Sequence, residues 1–103
     1  AYDPRVKGSF ASPGLYKEAK FREGFALLAK HDIIFDAWLF WSQLADLHDL
    51  ATAFPKTTIV MNHCGSPVAA MGDHYSAGAP ELTGKQEEIL AEWKAAMEKI
   101  AQD

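Results

Sequence analysis

The strongest constraint on the fold is a stretch in which two apolar segments flank an amphipathic one. Residues 33–40 are rich in β-branched and aromatic side chains and carry a single charge, Asp36. A segment this apolar is typical of a strand that is buried on both faces in a parallel sheet. Residues 57–62 form a second strand pattern, and residues 42–54 between them have apolar side chains at helical spacing, with Ser42 as the expected N-cap. Strand, helix and strand in this order predict a parallel, right-handed βαβ unit.

The rest of the chain adds helices and irregular segments. Residues 1–17 contain several proline and glycine residues and predict a loop or extended arm. A helical pattern covers residues 17–30, and Gly24 within it predicts close packing at that point, because glycine otherwise weakens a helix. A long irregular segment over residues 66–82 precedes a final amphipathic helix, which continues to the end of the chain.

The number of strands is small for a complete parallel domain. A chain of 103 residues is one domain at most. Two parallel strands would leave two unpaired edges, and a strand with two apolar faces would lack neighbours to cover it. We therefore predict an α/β class, in which two parallel strands with flanking helices form a single partial domain over residues 1–103. This would be part of a (β/α)8 TIM barrel, which takes about 250 residues when complete.

A different interpretation of the same pattern is a small α/β interaction module without catalytic activity. Such a module would cover its open sheet edge by pairing with a second copy of itself. The net charge limits the kinds of partner that either the barrel fragment or the interaction module could bind. The 14 acidic and 10 basic residues give a net charge of −4. There is no basic stripe for a phosphate backbone, which argues against nucleic acid. No apolar run approaches the roughly 20 residues of a membrane span, which argues against a membrane partner.

The single cysteine, Cys64, cannot form an internal disulfide, so we expect a reducing, cytoplasmic setting. The expected partner is a small-molecule substrate, with a homo-oligomer as an option.

The end of the second strand carries the most informative polar residues. In parallel α/β sheets, functional groups collect at the C-terminal ends of the strands, and Asn62 and His63 stand there. Imidazole titrates near neutral pH, so His63 can serve as a metal ligand, a general base or a hydrogen-bond donor to a substrate oxygen. Gly65 would let the backbone turn away sharply and leave the imidazole open. Alternatively, His63 caps the strand by bonding to a neighbouring carbonyl.

Asp36 and Trp38 lie in the outer half of the first strand and share one side of it. A carboxylate in an apolar strand needs a partner. Asp36 would either pair with a basic residue of a neighbouring strand or face a cleft, where it could hold a cation or orient a histidine. Trp38 would either form a wall of a pocket or pack in the core.

The remaining histidines are weaker candidates. His31 at a helix end and His48 within a helix are expected to be structural or solvated. His74 and Tyr75 lie in the long irregular segment, where a loop could cover the site. Cys64 should point away from the neighbouring histidine, since adjacent strand residues face opposite sides, so a catalytic thiol–imidazole pair is not expected. The sequence contains no HxH, HExxH or CxxC metal motif.

The segment from Phe54 to Gly65, FPKTTIVMNHCG, resembles the middle of the amidohydrolase-related TIM-barrel hydrolases. The most similar group contains the sugar-lactone and dicarboxylate lactonases and, more distantly, metal-dependent decarboxylases. Residues 34–38 and 92–97 extend the resemblance, which covers about residues 16–101.

The resemblance implies a hydrolase whose site spans several strand ends. His63 matches the active-site histidine of the family, which serves there in substrate binding, metal binding or catalysis. The HxH pair of the first barrel strand and the Asp of the last are not among these residues, so this chain alone is expected to be inactive. We expect Asp36, Trp38 and Asn62 to contact the substrate.

The resemblance also bears on metal dependence. Metal-dependent relatives tend to place a further histidine on the preceding strand, where this chain has Asp36 and Trp38. The lack of that histidine favours lactone hydrolysis with little or no metal. If a metal is used, we expect at most one divalent ion, such as Zn or Mn, with His63 as a ligand. The alternative is a metal-dependent amidohydrolase or decarboxylase that uses His63 as ligand or base.

Overall fold

The computed structural model describes residues 1–6, 9, 11–71 and 81–102. Within these residues the regular elements, in chain order, are α1 (Ala19–Lys30), β1 (Phe35–Ala37), α2 (Leu44–Ala53), β2 (Ile59–Met61) and α3 (Gln86–Gln102). Short 3₁₀ turns occur at Leu15–Lys17, Trp41–Gln43, Asn62–Gly65 and Val68–Ala70. None of the helices in the described part of the chain is long and apolar enough to cross a membrane.

The two strands form a parallel pair, with α2 as the connection between them. Phe35 pairs with Ile59 and Ala37 with Met61. This arrangement confirms the predicted α/β class with parallel strands and flanking helices. A sheet of two strands cannot close on itself, so the barrel is not formed within the described residues.

Both strands are shorter than their sequence patterns predict, and the expected burial of both faces of the first strand is wrong here. The helices cover only the face that carries Phe35 and Ala37. On the other face Ile34 is 62% exposed, Val60 49% and Trp38 43%. The physical reason is that a single layer of helices can shield one side of a sheet, and no described element lies on the other side.

The hydrophobic core lies between the covered sheet face and the helices. Its largest fully buried side chains belong to α2 and to the segment before it: Leu39, Trp41, Leu44 and Leu50. An aromatic cluster joins α1 to the sheet, where the ring of Phe25 lies 5.1 Å from that of Phe35 and 5.0 Å from that of Phe54. Full burial of such a side chain contributes about 1.5–3 kcal/mol, so the buried ring of Phe25 helps to hold α1 on the sheet.

Residues 1–6, which we call the arm, are held by a buried carboxylate. The side chain of Asp3 is 4% exposed and accepts hydrogen bonds from Arg5 Nε (2.9 Å), Arg5 Nη2 (2.7 Å) and the Arg5 backbone N (2.9 Å). The Arg5 guanidinium carbon also lies 5.9 Å from the centre of the Trp41 ring, within cation–π range. The arm is the first part of the irregular segment predicted over residues 1–17, and it is fastened to the turn that precedes α2.

The expected N-cap role of Ser42 is wrong because Ser42 lies inside a 3₁₀ turn over Trp41–Gln43, which leaves Gln43 at the N-cap position of α2. Ser42 Oγ donates to Asp3 Oδ2 at 2.7 Å, and α2 begins after the Trp41–Gln43 turn without a side-chain cap. Gln43 makes a further contact with the arm, since its Oε1 accepts from the backbone N of Tyr2 (2.8 Å) and of Phe40 (3.2 Å). The side chains of Ser42 and Gln43 thus bond to the arm and not to the backbone N–H groups at the start of α2.

Two glycines lead to opposite predictions for the same substitution. Contrary to the sequence expectation, Gly24 is exposed on α1, and a Cβ there would meet nothing within 4 Å. Because alanine favours a helix over glycine, Gly24→Ala should raise the free energy of unfolding by about 1 kcal/mol. Chemical denaturation of the variant and the parent sequence measures this difference.

Gly65→Ala is the matched control. Gly65 has a φ of 77°, and a Cβ there would lie 2.9 Å from Leu44 Cδ2 and 3.3 Å from Met61 Sδ. Both the backbone conformation and the packing oppose alanine, so this variant should lose more than about 1 kcal/mol of stability. Equal effects at the two positions would contradict this account of the turn.

Acid should release the arm. Burial raises the pKa of Asp3, but the hydrogen bonds from Arg5 and Ser42 outweigh it, so the pKa lies below its usual value. A carboxyl whose pKa is lowered on folding contributes stability that is complete above its unfolded pKa and is lost as pH falls through the folded pKa. The arm should therefore detach below about pH 4. The backbone amide signal of Tyr2, followed by NMR during acid titration, reports the detachment, and Asp3→Asn should lack this transition.

Candidate functional site

The two strand ends bring His63 and Trp38 together. The register pairs Ala37 with Met61, so the residues that follow, Trp38 and Asn62, leave the sheet side by side. The His63 ring then lies edge-on to the Trp38 ring, with ring centres 6.3 Å apart and planes at 68°. His63 is exposed at the C-terminal end of β2, as expected for a residue that faces a cleft.

The backbone that carries His63 is strained. His63, Cys64, Gly65 and Ser66 have φ values of 51°, 52°, 77° and 43°, all in the left-handed region. Only glycine adopts this conformation freely, and each other residue there costs about 1–3 kcal/mol. Such strain persists only where the surroundings enforce it, and it clusters at functional sites. The expected sharp turn at Gly65 is present, and it begins two residues earlier than the glycine.

Contacts from two helices and one strand hold this turn. The indole Nε1 of Trp93 on α3 donates to the carbonyl oxygen of Cys64 at 2.7 Å. The backbone N of Ser66 donates to the carbonyl oxygen of His63 at 2.9 Å, which closes the turn. Gly65 is buried against Leu44 of α2 and against Met61 of β2. The position of His63 therefore depends on α2 and α3 as well as on its own strand.

An apolar cleft of about 360 Å³ opens beside His63. Among the described lining residues, the polar side-chain groups besides the imidazole are the indole N–H of Trp38 and the hydroxyl of Ser66. Ser66 is 3% exposed, and its Oγ has no hydrogen-bond partner within the described part of the chain. The lining residues are Trp38, Phe40, His63, Ser66, Pro67, Val68 and Met71. The cleft can thus hold a small molecule with an apolar ring or chain and present one imidazole to its polar group.

The described residues do not form a metal site by themselves. Among them there is no group of three His, Cys, Asp or Glu side chains that could hold a metal ion. A metal-bound histidine normally donates its second ring nitrogen to an acceptor. No hydrogen bond from the His63 ring to another described residue is present, so neither ring nitrogen is fixed in this way. His63 could supply one ligand, and the others would have to come from elsewhere.

Asp36 faces a different cleft from His63. It is exposed on β1 and lines a cavity of about 260 Å³, which also touches Ala1, Tyr16 and Gln43. Trp38 lines both cavities and separates them. The ion pair considered for Asp36 is not formed with any described residue, and Asp36 and His63 do not share a cleft. Asn62 lies half-buried at the start of the turn and is not part of either lining.

The other sequence candidates lie away from this cleft. His31 is exposed at the end of α1. His48 lines a larger apolar groove of about 830 Å³, which runs between α2 and the end of α3. His74 and Tyr75 lie outside the described residues.

Sequence reasoning missed Ser66 and the polar role of Trp93. The helical spacing of Trp93, Met97 and Ile100 predicts that Trp93 lies on the apolar face of the last helix, and nothing in that spacing indicates that its N–H meets a carbonyl 29 positions earlier. The place of Ser66 near the site could have been inferred, since it directly follows the glycine of the predicted turn.

Two variants of the turn should behave differently. Ser66→Ala removes a buried hydroxyl that has no partner, so it should leave stability unchanged or raise it by about 1 kcal/mol. Trp93→Phe removes the indole donor to the exposed Cys64 carbonyl, which should cost about 0.5–1.5 kcal/mol. Thermal unfolding of both variants tests the assignment, and a larger loss for Ser66→Ala than for Trp93→Phe would contradict it.

Comparison with known proteins places the chain in a family. An uncharacterized protein, y4mH, of Sinorhizobium fredii (strain NBRC 101917 / NGR234) is 32% identical over 56 residues, which cover 54% of this chain and 19% of that protein. The aligned part thus spans about a fifth of the length of that relative. No solved structure matches the chain significantly. The family model described as Amidohydrolase matches residues 2–102, nearly the whole sequence. This chain belongs to the amidohydrolase family.

Proposed function

We propose that the whole protein is a hydrolase that opens a lactone or a related cyclic ester. The observation that carries this proposal is the exposed imidazole of His63 at the C-terminal end of β2, beside Trp38 and above an apolar cleft. A ring-shaped substrate fits a cleft with an aromatic wall and few hydrogen-bonding groups. Membership of the amidohydrolase family supports hydrolysis as the reaction class.

His63 would act on the oxygen atoms of the substrate. Neither ring nitrogen is bonded to a described residue, so the imidazole is free to donate a hydrogen bond to a carbonyl oxygen. That hydrogen bond would become stronger as the oxygen gains negative charge in the tetrahedral transition state. The same ring, when protonated, could instead bind a substrate carboxylate. The strained turn serves either role, because it fixes the backbone from which the ring projects before the substrate arrives.

The remaining groups would come from other parts of the protein. Hydrolysis needs a base that activates water, and an Asp outside these residues is expected to supply it. The Trp38 ring would form one wall for the substrate, with Asp36 and Asn62 near the rim. We expect this chain alone to be inactive, since one imidazole supplies neither a base for water nor a closed pocket. A cytoplasmic enzyme with a small-molecule substrate remains our expectation.

The decisive variant is His63→Asn in the full-length protein, assayed on a panel of lactones. Asparagine keeps polarity and approximate size but cannot carry a proton or a positive charge. If His63 stabilises the transition state, kcat should fall on the order of 10²-fold or more, with little change in melting temperature. His31→Asn is the matched control, because it makes the same chemical change on an exposed helix end away from the cleft.

The outcomes separate the competing roles. A stable, fully active His63→Asn variant would remove His63 from the catalytic residues. Nearly intact turnover with a loss of about 1 kcal/mol in stability would identify a histidine that only caps the strand. If a chelator abolishes activity and Zn or Mn restores it in the parent sequence but not in His63→Asn, His63 is a metal ligand, as in the metal-dependent alternative.

A further inference from the structure

The arm reaches the same end of the sheet as the candidate site. Asp3 accepts from Ser42 Oγ at 2.7 Å, and the backbone N of Tyr2 donates to Gln43 Oε1 at 2.8 Å. Ser42 and Gln43 both lie in the segment that follows β1, which we call the exit segment (residues 38–43). The Arg5 guanidinium lies 5.9 Å from the Trp41 ring in the same segment. Three successive residues of the exit segment are therefore held by the arm.

The exit segment in turn carries one wall of the cleft. Trp38 and Phe40 both line the cleft beside His63, and the Trp38 ring contacts the His63 ring. On its other side Trp38 borders the smaller cavity, where Ala1 of the arm is also part of the lining. The backbone N of Phe40 shares the Gln43 Oε1 acceptor with the arm. The arm thus contacts the exit segment at residues 41–43, directly after Phe40, and lines the same small cavity as Trp38.

Ladder hydrogen bonds cannot fix the exit segment, because β1 ends at Ala37. The exit segment is anchored by burial of Leu39, Phe40 and Trp41 and by the polar contacts of the arm. The Asp3 carboxylate is the centre of those contacts, since it bonds to Arg5 through both oxygens and to Ser42 through one of them. A buried charge with all of its partners is costly to disturb, so this junction is rigid.

We propose that Asp3 and Arg5 are positioning residues of the candidate site, which hold the exit segment and thereby set Trp38 against His63. Neither residue touches the cleft beside His63, so their effect on a substrate would pass through Trp38. The consequence for catalysis rests on the proposed function, whereas the consequence for the Trp38 ring does not.

The test uses the full-length protein labelled with 5-fluorotryptophan. The ¹⁹F signal of Trp38 is assigned by its loss in Trp38→Phe. In Asp3→Asn and in Arg5→Ala this signal should shift or broaden, and modification of His63 by diethylpyrocarbonate should become severalfold faster. Because the two residues act as one pair, the double variant should change the signal no more than the larger single variant.

Arg22→Ala provides the matched control. It removes another arginine–carboxylate contact, between Arg22 Nη2 and Asp49 Oδ2 at 2.5 Å, together with a bond to the Tyr16 carbonyl oxygen. This pair joins α1 to α2 and does not involve the exit segment. The control should leave the Trp38 signal in place. If Asp3→Asn does not fold, Ser42→Ala removes a single bond of the same junction and should move the Trp38 signal in the same direction.

The inference is overturned if the Trp38 signal is unchanged in the arm variants, or if Arg22→Ala moves it equally. On an active lactone, the arm variants should raise KM severalfold with little change in kcat, as expected for loss of a substrate-binding wall. The two proposals can fail separately. A moved Trp38 signal together with a fully active His63→Asn variant would reject the catalytic role of His63 and keep the positioning role of the arm.

Discussion

The parallel pairing of β1 with β2 is the interaction on which the rest of the structure depends. The register of Ala37 with Met61 decides which residues leave the sheet as neighbours, and these are Trp38 and Asn62. A shift by one residue would turn Trp38 towards the helices and bring the buried side chains to the uncovered face. The crossing helix α2 and the aromatic cluster around Phe35 keep this register, because they pack on one face of the pair.

The periodicity of the sequence was sufficient to predict the helices and the order of the strands. The segments assigned to α1, α2 and α3 are helical, because apolar side chains at helical spacing reflect burial of one helix face. Their exact starts were less predictable. Ser42 has the residue type of a cap, yet its hydroxyl bonds to Asp3, which is 39 positions away in the chain. A local rule cannot anticipate that Ser42 lies in a turn before the helix and donates to a distant carboxylate.

The candidate site was also predictable only in part. His63 and Trp38 could be placed from the rule that strand ends gather functional groups, and the structure brings the two rings together. Asp36 shares the strand side of Trp38 but faces another cavity, because the bulky indole stands between the two openings. The bond from Trp93 to Cys64 and the junction at Asp3 depend on tertiary contacts alone. Sequence spacing contains no information on them.

The hydrogen bond from Trp93 to the Cys64 carbonyl has a consequence for the order of folding. The turn that carries His63 is unfavourable as a local conformation, because three of its residues are not glycine and have positive φ values. Part of its support comes from Trp93, which lies 29 positions after Cys64 in the chain and whose helix must dock on the turn before that bond can form. Closing that loop costs entropy before the contact forms. We therefore expect β1, α2 and β2 to assemble first, and the histidine to reach its final orientation as one of the last events of folding.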